Sequence, residues 1–67
     1  MNPGEQNLSL SELRRRIGRS QAEVALAIGT TQSGVSRLEH QPDMLLSTLD
    51  EYVSALGGRL RLVIEHP

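Results

Sequence analysis

The stretch Gln21-Ala-Glu-Val-Ala-Leu-Ala-Ile-Gly-Thr-Thr-Gln-Ser-Gly-Val-Ser-Arg-Leu38 sets Ala25, Gly29, Val35 and Leu38 at offsets of 4, 8, 14 and 17 from Gln21. Two helices that meet at roughly 90 to 120° through a short turn approach most closely at one point, and the residue there must be small. Ala25 meets that need. Gly29, four residues on, supplies the positive φ of the turn, and Val35 and Leu38 supply the apolar groups that key the second helix into the first. A lone Gly or Ala would say nothing, but four residue types agreeing at these spacings predict a helix-turn-helix.

Working outward, Ser20 and Glu23 form a Ser-x-x-Glu capping box that opens the first of the two helices, with Val24, Ala25 and Ile28 as its inward stripe. A second capping box, Ser9 with Glu12, starts an earlier helix in which Leu10, Leu13 and Ile17 share a face, and Gly18 fits its C-terminal cap. Beyond the turn, Thr30 or Thr31 caps a helix running from Gln32 to about Glu39, with Val35 and Leu38 on its buried side. Pro42 and Asp43 mark a loop. A fourth helix is expected from about Leu45 or Leu46 to Leu56, burying Leu45, Leu49, Tyr52, Val53 and Leu56 and stopped by Gly57-Gly58. From Arg59 to Glu65 the period changes to two, with Leu60, Leu62 and Ile64 on one face, the pattern of a strand. The expected fold is therefore mainly α, four short helices around a central helix-turn-helix plus a C-terminal β-strand. Residues 1–8 read as a frayed tail, 9–58 as the folded domain and 59–67 as a separate terminal segment.

Composition narrows what such a fold can do. With 67 residues, no Trp, no Phe and Tyr52 as the only aromatic, the core must be thin and aliphatic. The absence of cysteine removes disulfides, thiolate zinc sites and thiol catalysis together. His40 and His66 are the only histidines and no metal-ligand spacing occurs, so neither an enzyme nor a cofactor or metal is expected. No apolar run approaches the roughly 20 residues that span a bilayer, and Met1 to Asn7 is too polar for a signal peptide. A soluble cytoplasmic protein without membrane contact is the expectation. Net charge is −1 and the pI is about 6.0, whereas nucleic-acid-binding domains are usually basic. Distribution offsets the sum: all seven basic residues are arginines and five of them (Arg14, Arg15, Arg16, Arg19, Arg37) precede residue 40. One face can still be positive.

The segment Gly29-Thr-Thr-Gln-Ser-Gly-Val-Ser-Arg-Leu-Glu39, preceded by Ser20-Gln-Ala-Glu-Val-Ala25, resembles the phage repressor and Cro family of lambda-repressor-like (XRE-type) DNA-binding domains. Members often read Thr-Gln-x-x-Leu-Ala followed by Gly-x-x-x-x-x-Ile-x-x-x-Glu. The resemblance covers about residues 10 to 56, and the tail from Leu46 to Leu62 looks like small members that act as antitoxins of the HigA type or as stand-alone regulators.

The resemblance implies that the third helix enters the major groove and that Gln32, Ser33 and, one turn on, Arg37 read base edges. Gln can donate and accept at adenine N6 and N7, and Arg can fork onto guanine O6 and N7. Gln21, in the first turn of its helix, is expected to clamp a phosphate, with Thr31, His40 and Arg19 as further backbone contacts. For Thr31 a plain N-cap serves equally well, and for Arg19 a solvated face is the alternative. Arg14 and Glu39 stand where the family joins its first helix to the end of the recognition helix, which gives them a structural role. Gly34 departs from the Ser, Thr or Ala that relatives carry, so either the backbone approaches DNA closely there or the helix completes itself on binding.

A strand without a neighbour leaves its backbone groups unpaired. Pairing of Arg59–Glu65 with a second copy about Leu62 would set Arg59 against Glu65 and cover Leu60, Leu62 and Ile64, giving a homodimer on a palindromic double-stranded operator. Two functional classes follow: a dimeric repressor, or an interaction module that captures a protein such as a toxin, with an antitoxin combining both.

Overall fold

The computed structural model describes residues 9–66. The expected tail 1–8 lies outside them. Four helices follow in order: α1 Leu10–Ile17, α2 Gln21–Ile28, α3 Gln32–Glu39 and α4 Leu46–Ala55. Each of the first three is begun by a hydroxyl. Ser9 Oγ accepts from the Glu12 N–H at 3.2 Å, Ser20 Oγ from the Glu23 N–H at 3.0 Å, and Thr31 Oγ1 from the Gly34 N–H at 3.1 Å. The reciprocal half of the box forms at α2, where Glu23 Oε1 accepts from the Ser20 N–H at 3.0 Å. Only the first half forms at α1. Gly29 ends α2 at φ +83°, a conformation that a side chain would strain, and turns the chain into α3.

Val24, Ala25, Val35, Tyr52 and Leu56 are buried, and Leu10, Leu13, Ile28, Leu38 and Ala55 pack around them. α2 is central, packing against both α3 and α4. Tyr52, Val24 and Val35 are fully buried, each contributing about 1.5 to 3 kcal/mol by leaving water. Two residues on the expected apolar faces lie outside. Leu45 is 73% exposed because it is the N-cap of α4, where the helical period has not begun. Ile17, the last residue of α1, is 46% exposed.

The C-terminal β-strand is not formed. Among the described residues there is no strand, and 58–66 carry no regular structure. Leu62, Val63 and Ile64 are exposed at 64, 78 and 93%, while Leu60 is half-buried. Alternation chooses the faces of a strand but supplies no ladder partner, and the described residues hold no other strand to offer one.

One polar cluster sits inside this apolar shell. Arg14 is buried at 8% exposure, and its Nε donates to Glu39 Oε2 at 2.7 Å, tying α1 to the end of α3. Arg14 Nη1 donates to the Arg19 carbonyl at 3.0 Å and so also holds the α1–α2 connection. The Glu39 side chain is 1% exposed. Removing one member of a buried pair strands the other charge, at a cost of about 3 to 5 kcal/mol. Glu39→Ala should therefore melt well below the native chain, whereas Glu51→Ala, at an exposed position, should melt close to it; thermal unfolding followed by circular dichroism checks both.

Candidate nucleic-acid interface

Helical spacing orients the outer face of α3. Val35 is fully buried, so Ser33 and Arg37, one turn apart, lie on the opposite side, and Gln32 lies on the flank in line with Glu39 two turns on. Gln32, Ser33 and Arg37 are all exposed. The α3 sequence, with Ser33, Gly34 and Ser36, is a weak helix former on its own, so packing against α2 sustains it.

Gln21 connects this face to the interior. Its Nε2 donates to Glu39 Oε1 at 2.9 Å, and its Oε1 accepts from Gln32 Nε2 at 3.4 Å. The side chain expected to hold a phosphate thus sets both ends of α3, and it is half-buried in doing so. It keeps one N–H beyond those bonds, at the first turn of α2 where unpaired backbone N–H groups and the helix dipole attract an anion.

The remaining candidates divide. Thr31 Oγ1 caps α3 and lies 3.2 Å from Ser33 Oγ, so its hydroxyl is already engaged. Arg19 is exposed, with Nη1 3.6 Å from Glu23 Oε2, a solvent-screened contact that can be exchanged for another anion at little cost. His40 is exposed, and its Nδ1 donates to the Ser36 carbonyl at 2.6 Å, so that nitrogen is engaged with its own helix. Gly34 has a local explanation: a Cβ there would press into Thr30 Oγ1 and sit 3.3 Å from Thr31 Oγ1, so the hydroxyls of the turn occupy the space a side chain would take.

Charge is concentrated on Glu39. Burial alone disfavours its ionised form, but hydrogen bonds from Arg14, Tyr52 and Gln21 outweigh that and hold the carboxyl below its ordinary range. The Ser20 backbone N–H and hydroxyl lower Glu23 in the same way. Both groups release protons more readily folded than unfolded, so the stability they contribute is present above the ordinary carboxyl value of 4.5 and is lost as pH falls through their lowered folded values. The melting temperature should accordingly hold from neutrality to about pH 5 and fall below about pH 4.5, with a smaller fall in Glu39→Gln; melts across a pH series check this.

Tyr52 is the member that the sequence conceals. Its hydroxyl lies 2.5 Å from Glu39 Oε2 and 3.1 Å from the Leu10 carbonyl. Periodicity marks Tyr52 as a core residue of α4, and nothing in the chain between Glu39 and Tyr52 signals that the phenol meets the carboxylate. The joint role of Gln21 was equally hidden, since its position at a helix start pointed only outward.

The pattern of the helix-turn-helix family matches residues 10–62. Antitoxin HigA1 of Mycobacterium tuberculosis is 48% identical over 60 residues, 88% of this chain and 40% of HigA1, so the chain spans less than half the length of that relative. Two solved structures are similar throughout. A HigA antitoxin whose unique dimerization induces DNA bending superposes with a TM-score of 0.80 at 42% identity, over 92% of this chain and 88% of its own. DNA-bound antitoxin HigA3 superposes with a TM-score of 0.84 at 42% identity, over 92% and 83%. By sequence pattern and by architecture, this chain belongs to the helix-turn-helix family.

Proposed function

We propose that this chain binds double-stranded DNA in a sequence-specific way as a homodimeric transcriptional regulator, an autorepressor of the antitoxin type. The observation that carries the reading is an exposed Gln32-Ser33-Arg37 edge on a helix held by buried hydrogen bonds, in a fold that superposes on DNA-bound HigA3 with a TM-score of 0.84. Gln32, Ser33 and Arg37 are assigned to base edges, and Gln21, Thr31, Arg19 and His40 to the backbone. Residues 9–58 form the DNA-binding unit. No helix among the described residues is long and apolar enough to cross a membrane.

Size favours action in pairs. α3 has eight residues, about 12 Å of helix, enough for one half-site. Two copies present two such helices about one DNA turn apart, which suits a palindrome. We assign the copy-to-copy contact to residues 59–65, where Leu62, Val63 and Ile64 leave apolar surface in water.

A protein partner is the second reading. The relatives are antitoxins, and a groove of about 440 Å³ between α2 and α4 is lined by Ala27, Ile28, Asp50, Glu51, Ser54 and Ala55. An apolar floor with two carboxylates suits a toxin that offers a basic, partly apolar segment. Neither role requires catalysis.

In vitro selection from a random duplex library should return a palindrome, bound with a log-log salt slope near −0.9 per phosphate neutralised. Arg37→Ala should relax preference at one position of each half-site by about 1 to 3 kcal/mol and leave the slope largely unchanged. Salt-insensitive binding, or equal weakening on all sequences, would reject the regulator reading. Deleting residues 59–67 should give a monomer in sedimentation equilibrium; a surviving dimer would move the interface elsewhere.

A further inference from the structure

The hydrogen bonds from the interior to the DNA-facing edge form one chain. Tyr52 of α4 meets Glu39 Oε2 at 2.5 Å. Glu39 Oε1 receives Gln21 Nε2 at 2.9 Å, and Gln21 Oε1 receives Gln32 Nε2 at 3.4 Å. Polarity runs through it in a single direction. An ionised carboxylate accepts and cannot donate, so Gln21 must turn its NH₂ group toward Glu39 and its carbonyl toward Gln32. Gln32 must then turn its own NH₂ group inward, which leaves its carbonyl and one N–H for a base edge. Were Gln21 to flip, Gln32 would flip with it and present a different donor and acceptor order to DNA.

We propose that Tyr52 is a positioning residue for base readout: its hydroxyl fixes the Glu39 carboxylate and so, through Gln21, the amide orientation that Gln32 presents to DNA. The inference rests on the regulator reading above. The phenol has one proton and two acceptors, and the carboxylate, charged and nearer than the Leu10 carbonyl, takes it. Arg14 donates to the same Oε2 through its Nε at 2.7 Å, while its Nη2 reaches Oε1 at 3.5 Å. Two donors converging on Oε2 stop the carboxylate from turning and keep Oε1 aimed at Gln21. With Tyr52 gone, the carboxylate keeps the Arg14 fork but loses its shortest bond, so Oε1 settles at a different position relative to Gln21. Since Tyr52 is fully buried on α4, base choice on α3 becomes sensitive to a helix that is remote from the groove.

The test compares Tyr52→Phe, which keeps the ring and removes the hydroxyl, with Gln21→Met, which severs the chain at the half-buried link and leaves the apolar core intact. Gln32→Ala first identifies the base pair that Gln32 reads. Binding-site selection and competition titrations should then show Tyr52→Phe losing about tenfold in discrimination at that base pair, with other positions and the salt slope kept. Gln21→Met should lose as much there, and the double variant no more than Gln21→Met alone. In the free protein, Tyr52→Phe should shift the side-chain amide resonances of Gln21 and Gln32 but not that of exposed Gln41. Uniform weakening on all sequences by Tyr52→Phe, full discrimination in Gln21→Met, or an unmoved Gln32 amide would overturn the proposal. The resonance measurement needs no DNA, so it decides the relay even if no duplex is bound, an outcome that counts against the regulator reading alone.

Discussion

The Glu39 carboxylate is the point on which the other parts of this small domain depend. It ends α3, and donors from α1, α2 and α4 converge on it: Arg14, Gln21 and Tyr52. A buried charge is tolerable only when its lone pairs are met, and here several donors meet them, leaving no buried side-chain polar atom unpartnered among the described residues. Four helices of eight to ten residues are individually marginal in water, and five buried apolar residues make a thin core. Directional bonds fix the mutual placement that so little apolar area would leave loose.

The same cluster joins stability to the exposed edge of α3. Gln21 belongs at once to the interior, through Glu39, and to the surface, through Gln32, so the edge of α3 is a continuation of the core network. Ser33 and Arg37 lie beyond its reach, on the side of α3 away from Val35.

Legibility in the sequence followed the range of the interaction. Caps, turns and helix bounds came through because each is decided within about four residues: Ser20 with Glu23, Thr31 with Gly34, Gly29 at its positive φ. The inward faces of α2 and α3 came through because period 3.6 needs no knowledge of the partner. Local reading failed where a partner was needed. Arg59–Glu65 alternates like a strand, yet a strand is defined by its ladder, and the described residues supply no second extended segment. Leu45 lies outside the core because the helical period does not extend back onto the N-cap that it occupies.

For the site, sequence and family resemblance together named Gln21, Gln32, Ser33, Arg37, Arg14 and Glu39, and the helix-turn-helix spacing by itself marked Ala25 as a buried small residue and Gly29 as the turn between α2 and α3. Those features are intrinsic to residue type and separation along the chain. Only the tertiary structure decided that the Tyr52 hydroxyl reaches Glu39, that Gln21 faces inward as well as out, and that the hydroxyl of Thr30 fills the space left by Gly34. These are contacts between side chains brought together by helix packing, and hydrogen bonds depend on tenths of an ångström and on angles that no one-dimensional pattern encodes.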